Sequence, residues 1–313
     1  MKLTLEQMQS VTVGALRIEQ GADGIHFHKC TAKQVAAWSA LSEGLGSRAE
    51  TTTGIRLDFC TDSATLAVDT AGGDKFEVLI NGLSRYRVHA GEAREKGEAL
   101  VFDLGEGQKR VTLAFPSHSV GVIRSVELAD GATLAPYEHA CKLLFIGDSI
   151  TQGWNSRYDT LSYAWRVTQF FDANSVIQGI GGAYYHGSAL DQIDFAPDTV
   201  ILAYGTNDFG HYHTQEDMQA QVAAFMDGIA AQFGDKRVLV ISPIYRADWQ
   251  TPKKMGYFSD ACAIVAEEGR RHGFTVIDGQ TLVPHNDDFM ADALHPNDLG
   301  FGVFAQELIK HMI

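Results

Sequence analysis

The feature that most constrains the fold of this chain is a change in the spacing of its apolar residues between 130 and 140. Beyond that point, continuous apolar runs such as 200–203 and 238–241 alternate with amphipathic stretches such as 214–233. Continuous apolar runs are typical of parallel strands that are buried on both faces. Strands that alternate with helices therefore predict an α/β domain at 136–313 with a doubly wound parallel sheet.

The first part of the chain has a different rhythm, in which short runs alternate apolar and polar residues between turns rich in Gly and Asp. The clearest run, 76–80, meets Asn81-Gly82 and would return along 86–88. Asn-Gly between two such runs is a strong signal for a β-hairpin. We predict that residues 1–135 form an all-β, jelly-roll-like sandwich domain, joined to the second domain by a linker at 131–136.

In the second domain, the apolar spacing predicts helices at 214–233, 259–272 and 300–312 and a strand at 275–277. Thr214 and Asp217 form a capping pair at the start of the first of these helices. Right-handed crossovers would bring the carboxyl ends of several parallel strands to one edge of the sheet. Side chains that follow those strands are therefore expected to lie close together.

Ser149 follows directly on the apolar run 143–146. The run predicts a buried strand that ends at Ile146 and turns sharply at Gly147, which places Ser149 where a helix starts. A helix N-terminus offers free backbone N–H groups and the positive end of a dipole, and both stabilise a developing oxyanion. Ser149 is therefore the candidate nucleophile, although a serine at this position can also serve simply as a helix N-cap.

A serine hydroxyl needs a general base, usually a histidine that is itself held by a carboxylate. His295 has Asp292 three residues before it, a spacing at which the carboxylate can reach the imidazole ring. Pro296 disfavours helical geometry at His295, so the ring is expected on a loop. The alternative is that Asp292 caps a helix and a backbone carbonyl orients His295.

Two further motifs follow strand-like runs. Asn207 comes after the run 199–203 and would present its amide at the carboxyl edge of the sheet, where open parallel sheets bind their ligands. It could instead be an ordinary turn residue. Gly182, after the run 175–177, allows the close backbone approach that an N–H oxyanion donor requires, and Gly181 is a rival for the same role.

In this order, the motifs resemble those of the SGNH, or GDSL-type, hydrolase superfamily. The residues that carry the resemblance are Gly-Asp-Ser at 147–149, Gly-Ile-Gly-Gly at 179–182, Gly-Thr-Asn-Asp at 205–208 and Asp-Ala-Leu-His-Pro-Asn at 292–297. The resemblance covers residues 141–313 and implies a flavodoxin-like sheet and a serine esterase that requires no cofactor.

The resemblance also implies a role for each residue. Ser149 would be the nucleophile, with His295 as base and Asp292 as its orienting partner. The oxyanion hole would consist of the backbone N–H groups of Ser149 and Gly182 and the side chain of Asn207. The chain departs from the family in one place, because residues 177–178 are Ile-Gln where many members carry an asparagine upstream of the glycine.

Three other histidines, His186, His211 and His213, follow the same motifs and raise the question of a metal site. A zinc site needs three or four ligands, and the chain has neither a His-Glu-x-x-His nor a Cys-x-x-Cys motif. We therefore predict no catalytic metal. These histidines are expected at the rim of the pocket, in contact with substrate hydroxyls.

The composition of the chain restricts its cellular location and its binding partners. The formal net charge is −14, which disfavours nucleic acid or an anionic membrane as the main partner. Four widely spaced cysteines are typical of a reducing compartment. The start of the chain lacks the apolar core of a signal peptide, so we predict a cytoplasmic location. Exposed edges of the small sandwich favour self-association into a homo-oligomer.

The substrate is predicted from the combination of domains. A β-sandwich that precedes an SGNH domain resembles carbohydrate esterases, and Trp154, Tyr184 and Tyr185 suit stacking on sugar rings, although core packing explains them almost as well. We predict an O-acetylesterase for acetylated mono- or oligosaccharides. The alternatives are a short-chain carboxylesterase or acyltransferase for a non-sugar alcohol, and a sugar-binding protein whose hydrolase domain is silent.

Overall fold

The computed structural model describes all 313 residues. The first part of the chain is dominated by strands. They are β1 (Thr12–Val13), β2 (Arg17–Gln20), β3 (Ile25–His28), β4 (Arg56–Thr61), β5 (Thr65–Gly72), β6 (Lys75–Ile80), β7 (Leu83–His89), β8 (Leu100–Asp103), β9 (Lys109–Ala114), β10 (Val122–Leu128) and β11 (Ala135–Pro136). Four helices interrupt them, namely α1 (Leu5–Ser10), α2 (Ala32–Leu41), α3 (Glu43–Ala49) and α4 (Gly91–Lys96).

These strands form two antiparallel sheets. One has the order β1-β4-β9-β6-β7, with β11 paired to β4, and the other has the order β2-β3-β10-β5-β8. Both sheets contribute buried side chains to one apolar cluster, including Phe59 and Phe76 from the first sheet and Val68 from the second. The alternation of apolar and polar residues along the strands supplies that shared core.

The hairpin that Asn81-Gly82 predicts is present, with β6 and β7 as its strands. Asn81 has φ 51° and Gly82 has φ 78°, the positive values that a two-residue type I′ turn requires at both positions. The segment 131–136, predicted as a linker, is partly a strand, because Ala135 and Pro136 pair with β4.

Helices α2 and α3 lie outside the sequence prediction. Thr31 begins α2 through a capping box, in which its side chain accepts from the Gln34 N–H and the Gln34 side chain accepts from the Thr31 N–H. Trp38 on α2 and Leu45 on α3 are buried in the apolar cluster of the second part of the chain, away from the two antiparallel sheets. The first part of the chain therefore reaches over one face of the second.

The second part of the chain alternates strands and helices. The strands are β12 (Cys141–Gly147), β13 (Ala173–Gly179), β14 (Thr199–Ala203), β15 (Arg237–Ile241) and β16 (Thr275–Ile277). The helices are α5 (Ser149–Gln152), α6 (Tyr163–Phe170), α7 (Asp208–His211), α8 (Gln215–Phe233), α9 (Phe258–Arg271) and α10 (Asp298–Met312). Short 3-10 helices lie at Asp159–Leu161, Gly187–Ala189, Gly279–Thr281 and Asp287–Phe289.

All five of these strands pair in parallel in the order β13-β12-β14-β15-β16. This is the flavodoxin-like order, in which the direction of winding reverses between β12 and β14. Alternate residues of β12 point to opposite faces, with Leu144 in one apolar cluster and Phe145 in the other. The predicted α/β fold with a doubly wound parallel sheet is therefore confirmed, and the switch point lies beyond the carboxyl ends of β12 and β14.

Charged side chains connect the two parts of the chain. Arg56 on β4 donates from Nη2 to the carbonyl of Ala173 at 2.7 Å. Asp58, which is fully buried, accepts from Arg56 Nε and from two guanidinium nitrogens of Arg110, and Arg110 also donates to Asp172. A buried carboxylate between two guanidinium groups thus lies at the contact between the two parts. None of the helices combines the length and the apolar character required to cross a lipid bilayer.

Candidate active site

Ser149 is the first residue of α5, immediately beyond β12. The turn between strand and helix is so tight that a Cβ at Gly147 would lie 2.1 Å from Thr151 Oγ1 and 2.8 Å from the carbonyl oxygen of Ala203. Asp148 is the N-cap, and its Oδ1 accepts from the Ile150 N–H at 2.9 Å. Because Asp148 caps the helix, the Ser149 hydroxyl is left for another partner.

That partner is His295. Ser149 Oγ lies 2.8 Å from His295 Nε2, and His295 Nδ1 lies 2.8 Å from Asp292 Oδ2. The carboxylate fixes the tautomer in which Nδ1 carries the proton, so Nε2 is free to accept the hydroxyl proton of Ser149. The structure therefore brings all three residues together in one hydrogen-bonded chain.

Asp292 lies on a loop, where it forms an Asx-type turn instead of a helical turn. Its Oδ1 accepts from the N–H groups of Leu294 and His295 at 2.8 and 2.7 Å. Partial burial would raise the pKa of the Asp292 carboxyl, but the hydrogen bonds from the His295 ring and from these two N–H groups outweigh it and lower the pKa to about 2. Asn155 Nδ2 donates to the same carboxylate at 2.7 Å. Asp292 is thus ionised and held in place for the His295 ring.

Hydrogen bonding in the glycine segment, residues 179–182, distinguishes between the two candidate oxyanion donors, Gly181 and Gly182. Gly181 N–H donates to Gln152 Oε1 at 2.8 Å, so this amide is occupied. Gly182 has φ +81°, a left-handed conformation that glycine adopts without strain, and its N–H has no hydrogen-bond partner in the protein. Of the two glycines, Gly182 is the one with a free donor.

Asn207 follows β14 through the Gly205-Thr206 turn, in which Gly205 has φ +114°. Its Nδ2 donates to the carbonyl of Ala183 at 2.9 Å, which fixes the amide and leaves its second proton available. Since β12 and β14 are adjacent in the sheet, Asn207 and Ser149 meet at the switch point. Both line one cavity.

The cavity has a volume of about 240 Å³. It contains the proposed nucleophile, base and oxyanion donors, the predicted stacking residue Trp154 and the rival glycine Gly181, together with two residues for which no role was predicted. Its lining residues are Arg48, Ser149, Trp154, Gly181, Gly182, Asn207, Leu294 and His295. Apart from Asp292, every residue of the predicted triad and oxyanion hole borders this cavity.

Arg48, on α3, is the cavity residue that sequence reasoning missed. Its Nη1 donates to the carbonyl oxygen of Gly181 at 3.1 Å, and its guanidinium carbon lies 6.0 Å from the centre of the Trp154 ring. Trp154 packs between the rings of His118 and His295, with centroid separations of 5.0 and 6.3 Å. The first part of the chain therefore contributes to the wall of the cavity through Arg48 and to its support through His118.

The other aromatic and histidine candidates lie elsewhere. Tyr185 is fully buried against Tyr204 and Phe225. Tyr184 is buried and stacks on the ring of His211 at 3.8 Å. Neither borders the cavity, so of the three predicted stacking residues only Trp154 does. His186 and His213 also lie outside its lining, and no group of three or more His, Cys, Asp or Glu side chains is arranged to hold a metal ion.

Comparison with known proteins places this geometry in a family. Residues 145–303, about half of the chain, match the GDSL-like lipase/acylhydrolase family. The chain therefore belongs to this family.

Individual relatives are more distant. An acetylxylan esterase of Xylanibacter ruminicola is 24% identical over 201 residues, which are 53% of this chain and 42% of that protein. The chain thus spans less than half the length of this curated relative.

Among solved structures, a salicylyl-acyltransferase from a tetracycline biosynthetic pathway has a TM-score of 0.79 at 20% identity and covers 96% of this chain and 93% of its own. A family two carbohydrate esterase from Clostridium thermocellum in complex with cellohexaose has a TM-score of 0.68 at 14% identity. The match covers 96% of this chain and 98% of that chain. Both cover nearly the whole chain, so the two-part fold is shared.

Proposed function

We propose that the protein is a serine esterase that hydrolyses acetyl esters of carbohydrates through a covalent acyl-enzyme. The observation that carries the proposal is the hydrogen-bonded chain from Asp292 through His295 to Ser149, which ends at the cavity. In this arrangement a nucleophile, a base and a group that orients the base occupy positions suited to acyl transfer.

The reaction follows from the positions of these groups. As Ser149 Oγ attacks the ester carbonyl carbon, its proton moves to His295 Nε2, and Asp292 stabilises the imidazolium. The tetrahedral intermediate then expels the alcohol, which takes the proton from His295. Water, deprotonated by His295, attacks the acyl-enzyme and releases acetate and free Ser149.

The oxyanion of each tetrahedral intermediate needs donors on the side of the carbonyl opposite His295. The Gly182 N–H and the second Nδ2 proton of Asn207 are both free of partners and both border the cavity. The Ser149 N–H, at the first position of α5, is the third donor of the proposal. Each such donor contributes about 3–4 kcal/mol to stabilisation of the transition state.

The size of the cavity and the relatives support the substrate class. A volume of about 240 Å³ is below the usual range for ligand pockets, which favours a small acyl group. The indole of Trp154 borders the cavity, where a sugar ring can stack on it. The acetylxylan esterase and the family two carbohydrate esterase among the similar proteins are consistent with an acetylated saccharide.

The remaining parts of the proposal concern organisation and location. The proposed division is a jelly-roll-like sandwich domain at 1–135 and a catalytic domain at 136–313. The separate apolar clusters of the antiparallel and parallel sheets support it, whereas Trp38 and Leu45 of the first part pack in a cluster of the parallel sheet. A reducing, cytoplasmic location is supported by the four cysteines, which are all unpaired.

The test is acetate release from acetylated substrates by the wild-type protein and by Ser149→Ala. The panel contains peracetylated xylose and glucose, acetylated xylo-oligosaccharides and 4-nitrophenyl esters from acetate to octanoate. We expect acetate release from the sugars, and loss of kcat by a factor of about 10⁴ or more in Ser149→Ala. Ser188→Ala is the matched control, because Ser188 Oγ also lies 2.8 Å from a histidine ring, that of His186, but outside the cavity.

Other results would point to the alternative functions. Preference for longer acyl chains with little activity on sugars would indicate a general carboxylesterase, and transfer to an added alcohol in place of water would indicate an acyltransferase. Sugar binding with equal inactivity of wild type and Ser149→Ala on every ester would indicate a silent binding protein.

A further inference from the structure

We infer that Arg48 is a positioning residue for the oxyanion hole, so that the first part of the chain completes the catalytic machinery of the second. The inference rests on the proposed function, since it concerns the Gly182 N–H as oxyanion donor. Its basis is the contact between the Arg48 guanidinium and the Gly181–Gly182 peptide.

Gly181 is held from two sides, through the peptide group that precedes it and through the one that follows it. The Gly181 N–H donates to Gln152 Oε1 at 2.8 Å, and the Gly181 carbonyl accepts from Arg48 Nη1 at 3.1 Å. In a trans peptide the carbonyl and the following N–H point in opposite directions, and the chain contains no cis peptide. A bond that draws the Gly181 carbonyl toward Arg48 therefore directs the Gly182 N–H away from α3.

Packing enforces the same orientation. A Cβ at Gly182 would lie 3.2 Å from Arg48 Nη1 and 3.6 Å from Leu45 Cδ2, and both of these side chains belong to α3. A Cβ at Gly181 would lie 3.0 Å from Arg48 Cδ. The glycine segment thus lies directly against side chains of α3, which limit its rotation toward this helix.

Helix α3 is itself fixed from within the first part of the chain. The Lys29 ammonium is fully buried and donates to the carbonyl of Arg48 at 2.9 Å and to the hydroxyls of Thr51 and Thr53 at 2.6 and 3.0 Å. Gln152, the second support of Gly181, donates to the carbonyl of Ser117 at 2.7 Å. Both supports of the glycine segment therefore depend on residues before 136.

The charge of Arg48 adds to its geometry. No carboxylate lies within ion-pair distance of this guanidinium, and it is the only lysine or arginine that lines the cavity. A cation that donates to the Gly181 carbonyl polarises the peptide group and makes the Gly182 N–H a stronger donor. The effect is largest when negative charge develops on the bound carbonyl oxygen, so it should appear in kcat.

The experiment compares wild type, Arg48→Met and Arg48→Lys on 4-nitrophenyl acetate, which is neutral. We expect kcat to fall by about 10- to 100-fold in Arg48→Met, with KM within about twofold of wild type. Arg48→Lys keeps the charge and should lose less. Thermal unfolding checks that each variant is folded. If Arg48→Met does not fold, Arg48→Lys serves as the test.

Arg94→Met is the matched control, because Arg94 Nη1 also donates to a glycine carbonyl, that of Gly73, at 2.7 Å, away from the cavity. It should retain wild-type kcat. An unchanged kcat in folded Arg48 variants, or a loss confined to KM, would overturn the inference. Failure of the proposed function is distinguishable, because Ser149→Ala would then hydrolyse the same ester as fast as wild type.

Discussion

Asp208, directly after Asn207, is a buried carboxyl group with an unusual environment. Its Oδ1 accepts from the Tyr185 N–H at 2.9 Å, whereas its Oδ2 is buried without a partner. Burial raises the pKa of Asp208 to about 7. Burial, together with the nearby Asp208 charge, also raises the pKa of Asp148 to about 7. Both carboxyl groups, which lie just beyond β12 and β14, thus carry protons at mildly acidic pH.

This environment predicts a pH-dependent difference between wild type and Asp208→Asn. The folded pKa of Asp208 lies above its ordinary value of 3.8, so its contribution to stability is complete below that value and is lost as pH rises toward 7. The carboxamide of the variant does not titrate. The Tm of the variant relative to wild type should therefore rise from about pH 4 to about pH 7, by an amount equivalent to at most ~1.4 kcal/mol per pH unit.

The comparison uses thermal unfolding at several pH values, with the exposed Asp217→Asn as control. The difference between two nearly identical proteins cancels the titrating groups that Asp208 does not influence. Asp148 is not one of these, because the Asp208 charge contributes to its raised pKa. Parallel Tm curves for wild type and Asp208→Asn over this range would contradict the assignment of a raised pKa.

At the scale of elements, the close contact between the glycine segment and α3 is the feature with a mutational consequence. In Gly182→Ala the new methyl meets Arg48 Nη1 at 3.2 Å, and an alanine must adopt φ +81°. Because the methyl would crowd the Arg48 side chain and alanine is strained at this φ, the Gly182 N–H should shift from its position in the cavity. We expect kcat to fall by about 10- to 100-fold.

Gly131→Ala separates this effect from backbone strain. Gly131 has φ +77° and nothing within 4 Å of its added Cβ, so the substitution imposes similar strain far from the site. It should cost about 1–3 kcal/mol in stability and leave kcat unchanged. Equal kcat values for Gly182→Ala and wild type would show that the Gly182 N–H is not a donor of the oxyanion hole.

The elements that local sequence signals describe are the ones that could be predicted. The run 275–277 coincides with β16, Thr214 caps α8 through the Asp217 N–H, and the Asn81-Gly82 turn joins β6 to β7. In each of these, the pattern and the structure depend on neighbours within a few residues. The positions of Ser149, Asn207 and His295 follow similarly from the strands and loops that precede them.

The contribution of α3 to the site could not be predicted in this way. Ser42, its N-cap, makes no side-chain capping bond, and the seven-residue helix contains two glycines, so it lacks the usual signals of a helix. The Arg48 contact joins residues 133 positions apart. The periodic spacing of apolar residues carries no information about a contact between residues so far apart in the sequence. The capping box of Thr31 and Gln34 is the one local signal that could have indicated α2.

At the scale of the whole molecule, Arg56 and Arg110 join the two parts of the chain, because they donate to the Ala173 carbonyl and to Asp172, and the buried Asp58 holds both guanidinium groups. Asp58 is fully buried and accepts from Arg56 and Arg110, and Arg56 is itself only 3% exposed. Removal of one partner from a buried ion pair leaves the other charge without compensation. The junction is therefore sensitive to single substitutions.

Asp58→Ala should accordingly reduce the free energy of unfolding by about 3–5 kcal/mol, because it leaves the Arg56 guanidinium buried without a carboxylate. Urea denaturation measures this quantity. The control is Asp69→Ala, which removes an exposed ion pair with Arg124 and should cost about 0–1 kcal/mol. Similar losses for the two variants would show that the buried Asp58 ion pairs contribute no more to stability than an exposed pair.

The sequence separations within the site also have a kinetic consequence. Ser149 and His295 are 146 positions apart, and Arg48 and Gly181 are 133 apart. Contacts between residues so distant in sequence form late in folding, because long loops must close before these contacts can form. During refolding from denaturant, helical circular dichroism should therefore recover before esterase activity. A partially folded chain would carry the proposed nucleophile without the proposed base and without the peptide proposed to bind the oxyanion, and so would be inert toward the esters around it.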